Sequence, residues 1–503
     1  MRRSIHALGP VTLAALLSII APRPAVGQDA PISVAADARV ELPDTPAGRR
    51  VAEMLHIVAD GDDASTRAYI VSSFAPSFRD ALPVEDHLSV HAQMRENSGG
   101  FDVVELRDSE PDAIAIVARA RKTGELRMLR LRTETEPPYR ITRIGVAPLM
   151  PSDRIDAPTV PDRDLSDEEI AAILRDYLDR LVAADAFSGV VLVARNGEPI
   201  FERAYGEASK SYGVPNSVDT KFNLGSMNKM FTAVSIAQLV ERGILSYDDP
   251  IGKWLGPDWV RTEVGEKATI RHLLTHTSGL GSFFTEEFMR SSRGLYRGLD
   301  DWREIVRQDS LAFEPGTRWS YSNNGFLLLG VIVEKASGQS YYDYVREHVY
   351  EPSSMTGTDA YEVDAVVPNL AQGYERVDTD AGVTYRSNIL EHTARGGPAG
   401  GGYSTAPDLL AFANALLAGR LVQPETLALI TTAKPEAASP DYGYGFGVSE
   451  DGRVFGHTGG FPGISSSLDV DRENGDVVVV MSNYGRASMP VADVARELLA
   501  AGR

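Results

Sequence analysis

Cysteine is absent from all 503 residues of the sequence. No disulfide can therefore stabilise the fold, and no thiolate can act as a nucleophile or as a metal ligand. Stability has to come from the burial of apolar side chains, and 43% of the residues are hydrophobic. A chain of this length and composition has enough apolar surface for more than one hydrophobic core.

Basic residues are also scarce, since 50 Lys and Arg stand against 70 Asp and Glu and the formal net charge is −20. Residues 1–27 contain three arginines and no acidic residue, which leaves −23 for the rest of the chain. A field of this sign repels nucleic acids and anionic membranes. We therefore expect a small-molecule or peptide substrate as the partner, while the composition indicates no particular oligomeric state.

The apolar run near the N-terminus, Val11–Ala21, is shorter than the roughly 20 residues that a membrane-spanning helix needs. Arg2 and Arg3 precede it, and the small residues 25–27 follow at the spacing that a signal peptidase reads. We predict a cleaved secretory signal over residues 1–27, a periplasmic or extracellular location, and no membrane anchor after cleavage. Without cysteine, lipid anchoring through an N-terminal Cys is excluded.

Residues 147–165 are rich in proline and aspartate and show no apolar period. Prolines at this density prevent a helix and disfavour a central strand. We predict a linker here, between a small α+β domain at 28–146 and a larger domain at 166–503.

The small domain shows helical patterns first and alternating strand patterns after them. The helical stretches are 47–61 and 66–78, and the strand stretches are 101–106, 113–121, 126–134 and 139–146. This order favours an antiparallel sheet with helices, similar in shape to the cone-shaped domains of the nuclear-transport-factor-2-like family. His87 and His91 stand four residues apart, but no third ligand has a recognisable spacing, so we assign no metal to them.

The larger domain shows strand patterns at its two ends and helical patterns between them. Ser166 and Glu169 have the spacing of a capping box at the start of an amphipathic helix. The pairs Asn196-Gly197 and Asn474-Gly475 predict β-hairpins early and late in the domain. We predict an antiparallel sheet made from the first and last segments, flanked by helices, with a helical subdomain that creates a cleft.

Ser226 and Lys229 are candidates for a nucleophile and its base. A serine hydroxyl needs a nearby base to become nucleophilic, and residues three apart lie on the same face of a helix. Ser226 follows Gly225 at the predicted start of a helix that ends near Gly243. Free N–H groups at a helix start favour developing negative charge. The same pattern also fits a capping serine with an exposed lysine.

Two further segments carry candidate catalytic residues. Tyr321-Ser322-Asn323 precedes an apolar helix predicted over residues 326–335, and His457-Thr458-Gly459 is predicted to lie between short strands. Each of these triplets is common by itself. His457 could simply pack or cap a strand end.

In the order Ser-x-x-Lys, Tyr-x-Asn, His-Thr-Gly, about 90 and 135 residues apart, the three motifs resemble those of one superfamily. It is the serine β-lactamase and penicillin-binding-protein superfamily, in its class C-like branch of esterases, D-aminopeptidases and DD-peptidases. The resemblance extends from Ser166 to the C-terminus and implies a β-lactamase/transpeptidase-like fold without a metal or an organic cofactor.

The resemblance also implies a role for each residue of the motifs. Ser226 would form the acyl-enzyme, with either Lys229 or Tyr321 as the working base. Asn323 would bind the substrate amide or Lys229, and the backbone N–H groups of Ser226 and Gly460 would form the oxyanion hole. Penicillin-recognising members usually carry Lys where this chain has His457, so strong β-lactamase activity is not expected.

We therefore predict a serine hydrolase that cleaves small esters or amides. A DD-peptidase, a D-aminopeptidase or a weak β-lactamase acting on peptidoglycan-type peptides is the second interpretation. A binding or regulatory protein that has lost turnover on the same scaffold is the third, because a fold does not guarantee a function.

Three further features of the sequence resemble functional motifs but are interpreted as structural. His272 and His276 are four residues apart but lack a third ligand, and the glycine-rich stretch 396–402 is not followed by the Gly-Lys-Ser/Thr of a phosphate loop. Thr405 and Asp408 have capping-box spacing, which predicts a turn into a helix at the border of the cleft.

Overall fold

The computed structural model describes residues 40–80, 83–379 and 382–501. The predicted signal peptide, residues 1–27, lies outside the described residues. The chain divides into two compact units, with the main division between Arg154 and Ile155. This division falls within the 147–165 segment for which a linker is predicted.

The smaller unit has helices first and a four-stranded antiparallel sheet after them. Its helices are α1 Pro46–Asp60, α2 Asp63–Ser73, α3 Pro76–Arg79 and α4 Val84–Ser98. Its strands are β1 Phe101–Ser109, β2 Ala113–Ala120, β3 Leu126–Thr133 and β4 Ile141–Pro148, hydrogen-bonded in the order β1-β2-β3-β4. The helices and the inner face of the sheet enclose a separate core that includes Val51, Ile116 and Leu129.

His87 and His91 lie on α4 and take part in packing. His91 Nδ1 donates to the His87 carbonyl oxygen at 2.8 Å, and His87 Nε2 donates to the Arg79 carbonyl oxygen at 3.0 Å. Both rings contact Phe74. In the described ranges, no group of three or more His, Cys, Asp or Glu side chains is placed to hold a metal ion.

The larger unit is built on a six-stranded antiparallel sheet whose first and last segments are neighbours. The strands, in hydrogen-bonding order, are β13 Gly447–Val448, β14 Val454–Phe461, β15 Ile464–Asp471, β16 Val477–Ser482, β5 Gly189–Arg195 and β6 Glu198–Tyr205. Val479 of β16 faces Leu192 of β5 in the register that joins the two ends of the domain. The predicted sheet is therefore confirmed.

The turn at Asn196 and Gly197 is the tight hairpin that the sequence predicts. Asn196 has φ 52° and Gly197 has φ 78°, which is the backbone of a two-residue turn with positive φ at both positions. The later hairpin joins β15 to β16 through five residues, 472–476, so its connection is longer than a two-residue turn.

Helices cover both faces of the sheet, and this explains why β5 and β16 are apolar at nearly every position. Alternate residues of β5 enter different cores, with Val191 and Val193 on one side and Val190 and Leu192 on the other. The first side is covered by α5 Asp167–Ala183 and α17 Ser488–Ala500. The predicted capping box of α5 is confirmed, because Ser166 and Glu169 exchange side-chain hydrogen bonds with each other's backbone N–H.

The second side of the sheet carries the helical subdomain. Its helices are α6 Asn228–Glu241, α7 Gly252–Leu255, α8 Thr262–Lys267, α9 Ile270–Leu274, α10 Glu286–Arg290, α11 Arg303–Arg307, α12 Asn323–Ser337, α13 Tyr341–Val345, α14 Glu351–Ser353, α15 Ala406–Leu417 and α16 Pro424–Ile430. Short strands lie beside them: β7 Glu207–Ser209, β8 Val214–Pro215, β9 Phe222–Asn223, β10 Tyr374–Thr379, β11 Gly382–Ser387 and β12 Tyr403–Ser404. Within the described part of the chain, no helix combines the length and the apolar character needed to span a membrane.

Candidate active site

Ser226 lies in a 3-10 turn, Gly225–Met227, between the short strand β9 and the helix α6. The turn is held by Asn223, whose Oδ1 accepts a hydrogen bond from Gly225 N at 2.9 Å. Gly225 has φ +51°, and a Cβ built there would lie 2.8 Å from Gly460 N. Only glycine therefore allows β14 to approach the turn so closely.

Lys229 projects from the first turn of α6 and is completely buried. Its Nζ donates to Asn323 Oδ1 at 2.9 Å and to the Ala399 carbonyl oxygen at 2.5 Å. No carboxylate pairs with it among the residues that the structure describes. Burial lowers the pKa of Lys229 well below its ordinary value. The alternative of an exposed lysine beside a capping serine does not apply to this structure.

The hydrogen bonds of Lys229 suit a neutral amine. Both acceptors are carbonyl-type oxygens, and a neutral amine has two N–H groups to give them. The nitrogen lone pair is then left to receive a proton. In its uncharged form, which burial favours, Lys229 is thus equipped to act as a base.

Asn323 is the first residue of α12, so the prediction that this helix begins at residue 326 is wrong. The helix starts earlier because Ser322 is its N-cap, with Oγ accepting from Gly325 N at 2.9 Å. Asn323 Oδ1 accepts from Lys229, and Asn323 Nδ2 donates to Ser282 Oγ at 3.0 Å. The asparagine therefore fixes the position of the lysine amine.

The ring of Tyr321 lies beside the Lys229 amine, with Nζ 4.8 Å from the ring centroid. Its hydroxyl is buried and completes no hydrogen bond with the described protein groups. Burial raises the pKa of Tyr321, and the nearby Ser226 side chain acts in the opposite direction. The phenol is consequently protonated at neutral pH and can serve as a proton donor.

His276, a structural residue in the interpretation from the sequence, contacts the ring of Tyr321 directly. Its ring centroid is 4.2 Å from that of Tyr321, and its Nδ1 accepts from Ser322 N at 3.0 Å. Burial lowers the pKa of His276 well below its ordinary value. The ring is therefore neutral and holds the segment that contains Tyr321. His272 has a different role, because its Nδ1 accepts from Thr269 N in a helix cap.

His457 lies inside β14, so the prediction that its triplet separates short strands is wrong. The ring is buried, its Nδ1 donates to the Thr458 carbonyl oxygen at 2.6 Å, and its Nε2 accepts from the Tyr442 hydroxyl at 2.8 Å. Burial lowers the pKa of His457 to about 3. The ring is neutral and both nitrogens are occupied, and its predicted contact with substrate stays a prediction.

Gly460 lies near the end of β14 and is exposed. Because a Cβ built on Gly225 would lie 2.8 Å from Gly460 N, this N–H group lies close to the turn that contains Ser226. A Cβ built on Gly460 would meet no atom within 4 Å. The space above this backbone is open. Such a position fits the predicted oxyanion donor, which has to face both Ser226 and the substrate carbonyl.

The glycine-rich stretch 396–402 completes the site through its backbone. The Ala399 carbonyl oxygen accepts from Lys229, and a Cβ on Gly400 would lie 2.9 Å from the Gly225 carbonyl oxygen. Its use of backbone atoms explains why the sequence indicated only a turn. Thr405 caps the next helix as predicted, but the Asp408 carboxylate bonds to Gly357 N and Thr358 Oγ1, so the reciprocal capping box is absent.

The structure thus brings Ser226, Lys229, Tyr321, Asn323 and Gly460 to one location, with His457 behind it. A model of the β-lactamase family matches residues 174–502. This chain belongs to the β-lactamase family. The expected β-lactamase/transpeptidase-like fold is confirmed.

Proteins similar to this chain carry different names. The chain is 31% identical over 333 residues to penicillin-binding protein 4* of Bacillus subtilis strain 168, covering 62% of this chain and 71% of the relative. It is 30% identical over 372 residues to esterase EstB of Burkholderia gladioli, covering 64% and 92% respectively. A crystal structure of a D-stereospecific amidohydrolase from Streptomyces sp. is 28% identical with a TM-score of 0.54, covering 65% of this chain and 98% of that one.

Proposed function

We propose that the protein is a serine hydrolase that cleaves small esters or amides through an acyl-enzyme on Ser226. The observation that carries the proposal is Lys229, a buried amine with two carbonyl acceptors and no counter-ion among the described residues, one turn after a serine. A lysine kept neutral in this way is a base at physiological pH.

In acylation, the Ser226 oxygen attacks the substrate carbonyl and its proton passes to Lys229 Nζ. The carbonyl oxygen becomes negative between the backbone N–H groups of Ser226 and Gly460, and each well-placed donor of this kind lowers the barrier by about 3 kcal/mol. When the intermediate collapses, the leaving group takes a proton from the Tyr321 hydroxyl, and the proton held by Lys229 restores the phenol.

Deacylation uses the same groups with water in place of the serine. Lys229 accepts a proton from the attacking water, and as the acyl group leaves as an acid the Ser226 oxygen takes a proton from the Tyr321 hydroxyl, which the proton on Lys229 then restores. No net proton remains on the enzyme after one cycle. Burial favours the neutral form of both groups, so Lys229 is the better base and Tyr321 the better acid.

The third motif, His457-Thr458-Gly459, favours substrates that are uncharged at the point where they reach it. His457 is uncharged and its two nitrogens are occupied, so it provides no fixed positive charge for a substrate carboxylate. Esters and amides without that carboxylate suit the site better than penicillins. The esterase and the amidohydrolase among the similar proteins support this choice.

Intact-mass spectrometry with a fluorophosphonate, a short-chain p-nitrophenyl ester and a penicillin tests the proposal, with Ser226→Ala as the control. We expect a fluorophosphonate adduct on the wild type alone, fast turnover of the ester, and little or no turnover of the penicillin. The absence of any adduct would favour the non-catalytic binding protein. Rapid turnover of the penicillin would favour the penicillin-binding interpretation.

We also propose, from the N-terminal sequence pattern, that the protein is exported before it acts. Its substrates would then be periplasmic or extracellular. Fractionation of cells that produce the full chain, with N-terminal sequencing of the mature protein, tests this, and cleavage after residue 27 is the expected result.

A further inference from the structure

A loop carbonyl helps to orient Lys229, and buried side chains hold that loop in turn. The Ala399 carbonyl oxygen accepts a hydrogen bond from Lys229 Nζ. The preceding carbonyl, that of Pro398, accepts from Thr232 Oγ1 at 2.8 Å. Thr232 is completely buried and lies on α6, three residues after Lys229. Two neighbouring side chains of one helix therefore bind two consecutive carbonyl groups of the loop.

Tyr341 extends this contact into a chain of hydrogen bonds. It is the first residue of α13, is 2% exposed, and its hydroxyl lies 2.7 Å from Thr232 Oγ1. Thr232 has one hydroxyl hydrogen, and the Pro398 oxygen at 2.8 Å is a nearer acceptor than the Asn228 carbonyl oxygen at 3.3 Å. With that hydrogen given to Pro398, the Tyr341 hydroxyl is the donor to Thr232. Burial raises the pKa of Tyr341, so the phenol keeps the proton that this bond requires.

The loop is also held by its own backbone and by α12. Gly400 N donates to the Gly397 carbonyl oxygen at 3.1 Å, which fixes the peptide that carries the Ala399 carbonyl. A Cβ built on Gly330 of α12 would lie 2.0 Å from Pro398 Cγ, so only glycine leaves room for the proline ring. With the ring packed and the loop closed, the hydrogen bond to the Pro398 carbonyl fixes the orientation of the remaining peptide.

We infer that Thr232 and Tyr341 are positioning residues for the base of the proposed hydrolase reaction. They orient the loop so that the Ala399 carbonyl meets Lys229 Nζ. A neutral amine whose two N–H groups are directed to Ala399 and Asn323 holds its lone pair in one direction. When the Ala399 carbonyl is displaced, the amine can rotate and the lone pair is no longer aimed at the proton that it has to accept. The inference rests on the proposed function and adds to it two residues that act through Ala399.

Substitutions at Thr232 separate the hydroxyl from the shape of the side chain. Thr232→Val removes the hydroxyl and keeps the branched shape, whereas Thr232→Ser keeps the hydroxyl. In the full-length protein, we expect Thr232→Val to lower kcat for p-nitrophenyl butyrate about 10- to 100-fold, with KM changed less than about threefold. Thr232→Ser should retain most of the wild-type kcat. Ser235→Ala is the matched control, because Ser235 is buried on the same helix and its Oγ donates to the Phe231 carbonyl oxygen within that helix.

Tyr341 offers an independent test with its own control. We expect Tyr341→Phe to lower kcat about three- to tenfold, because it removes the donor to Thr232. Tyr344→Phe removes a buried hydroxyl from the same helix, where the hydroxyl bonds to Gln238 Oε1 of α6 at 3.3 Å, and should leave kcat unchanged. The double variant Thr232→Val/Tyr341→Phe should be no slower than Thr232→Val, because both residues act through one chain of hydrogen bonds.

Crystal structures of the wild type and of Thr232→Val provide a measurement that does not depend on turnover. We expect the hydrogen bond from Lys229 Nζ to the Ala399 carbonyl oxygen in the wild type, and its lengthening or loss in the variant. An unchanged hydrogen bond in Thr232→Val, or equal losses of kcat in Thr232→Val and Ser235→Ala, would overturn the inference.

The proposed function fails in a different way. If the wild type hydrolyses the butyrate ester no faster than Ser226→Ala does, the serine hydrolase is overturned. The two crystal structures then still decide whether Thr232 holds the Ala399 carbonyl against Lys229.

Discussion

Lys229 combines complete burial with the absence of a charged partner in the described part of the chain, which is an expensive arrangement for a charged amine. The free energy of desolvation is avoided if the amine is neutral. Because Lys229 lies one helical turn after Ser226, the neutral amine can accept the proton of the serine hydroxyl. This relation between burial and chemistry leads to two predictions for single residues.

We expect Lys229→Met and Lys229→Arg to lower kcat/KM for a neutral ester by about 10²- to 10⁴-fold, because both remove the base. Arginine keeps a permanent charge and cannot accept the proton. The pKa of Lys229 is lowered, so wild-type kcat/KM should rise less steeply from pH 7 to 9 than it would with a lysine base at the ordinary pKa of 10.5. Ester assays across this range test the prediction, and substantial activity in Lys229→Arg would contradict it.

His457 should make the protein sensitive to acid. Its pKa is about 3 in the folded state, below that of an unfolded histidine, so its contribution to stability is complete above about pH 6.5 and is lost as the pH falls towards 3. Between pH 7 and pH 5 the loss from this residue is about 2 kcal/mol. Denaturant unfolding should show that His457→Gln loses less stability over this interval than the wild type. Equal losses would mean that His457 is protonated in the folded protein.

At the scale of single residues, the sequence predicts those that belong to spaced motifs and misses those that act through tertiary contact. Ser226, Lys229 and Tyr321 can be named because their spacing is itself the signal. Ala399 cannot, because any residue carries a carbonyl oxygen, and its role depends on the path of the chain. His276 belongs to the same class, since only the folded chain places its ring 4.2 Å from Tyr321.

At the scale of elements, the start of α12 determines where Asn323 lies. Ser322 is fully buried, its Oγ accepts from Gly325 N, and the same Oγ donates to the Gly281 carbonyl oxygen at 2.9 Å. The cap therefore joins the helix to the segment that contains Ser282. A change in the cap should move Asn323, and with it the lysine amine.

We expect Ser322→Ala to lower the free energy of unfolding by about 1–2 kcal/mol and to lower kcat more than it raises KM. Ser166→Ala is the matched control, because Ser166 caps α5, which covers the other face of the sheet. It should affect stability without affecting kcat. Denaturant unfolding measures the stability of both variants, and ester kinetics measure their kcat and KM. Equal effects of the two substitutions on kcat would contradict a role of the Ser322 cap in positioning Asn323.

The sequence predicts the type of most elements better than their limits. The apolar period of α12 begins only at Phe326, so Asn323 is predicted to precede the helix, and the capping serine could not be recognised without its contacts. In β14, two adjacent glycines prevented the strand from being predicted, because glycine has a low preference for strands. Gly459 and Gly460 are nevertheless strand residues because β14 pairs with β15 along its whole length.

At the scale of the whole molecule, the two compact units have separate cores. The smaller unit encloses its own core, and the larger unit has a core on each face of its sheet. Every residue assigned to the candidate site belongs to the larger unit. The proline-rich segment predicts this division from the sequence. The smaller unit, by contrast, contains no sequence motif that indicates its function.

We expect residues 155–503, produced alone, to fold cooperatively and to hydrolyse a neutral ester with kcat/KM within about threefold of the full chain. The reason is that its cores and catalytic groups are contained within it. Calorimetry and ester kinetics on the two proteins test this. A fragment that fails to fold or has lost most of its activity would show that the smaller unit supports the site.

The two backbone N–H groups that would bind the oxyanion come from positions about 230 residues apart, at Ser226 and Gly460. Gly460 reaches its place only when β14 pairs with β15, and β15 in turn pairs with β16 beside β5. A nascent chain that lacks its last 50 residues can therefore contain the complete serine and lysine pair without a working hydrolase. Activity would appear only after the end of the chain has been synthesised and has joined the sheet.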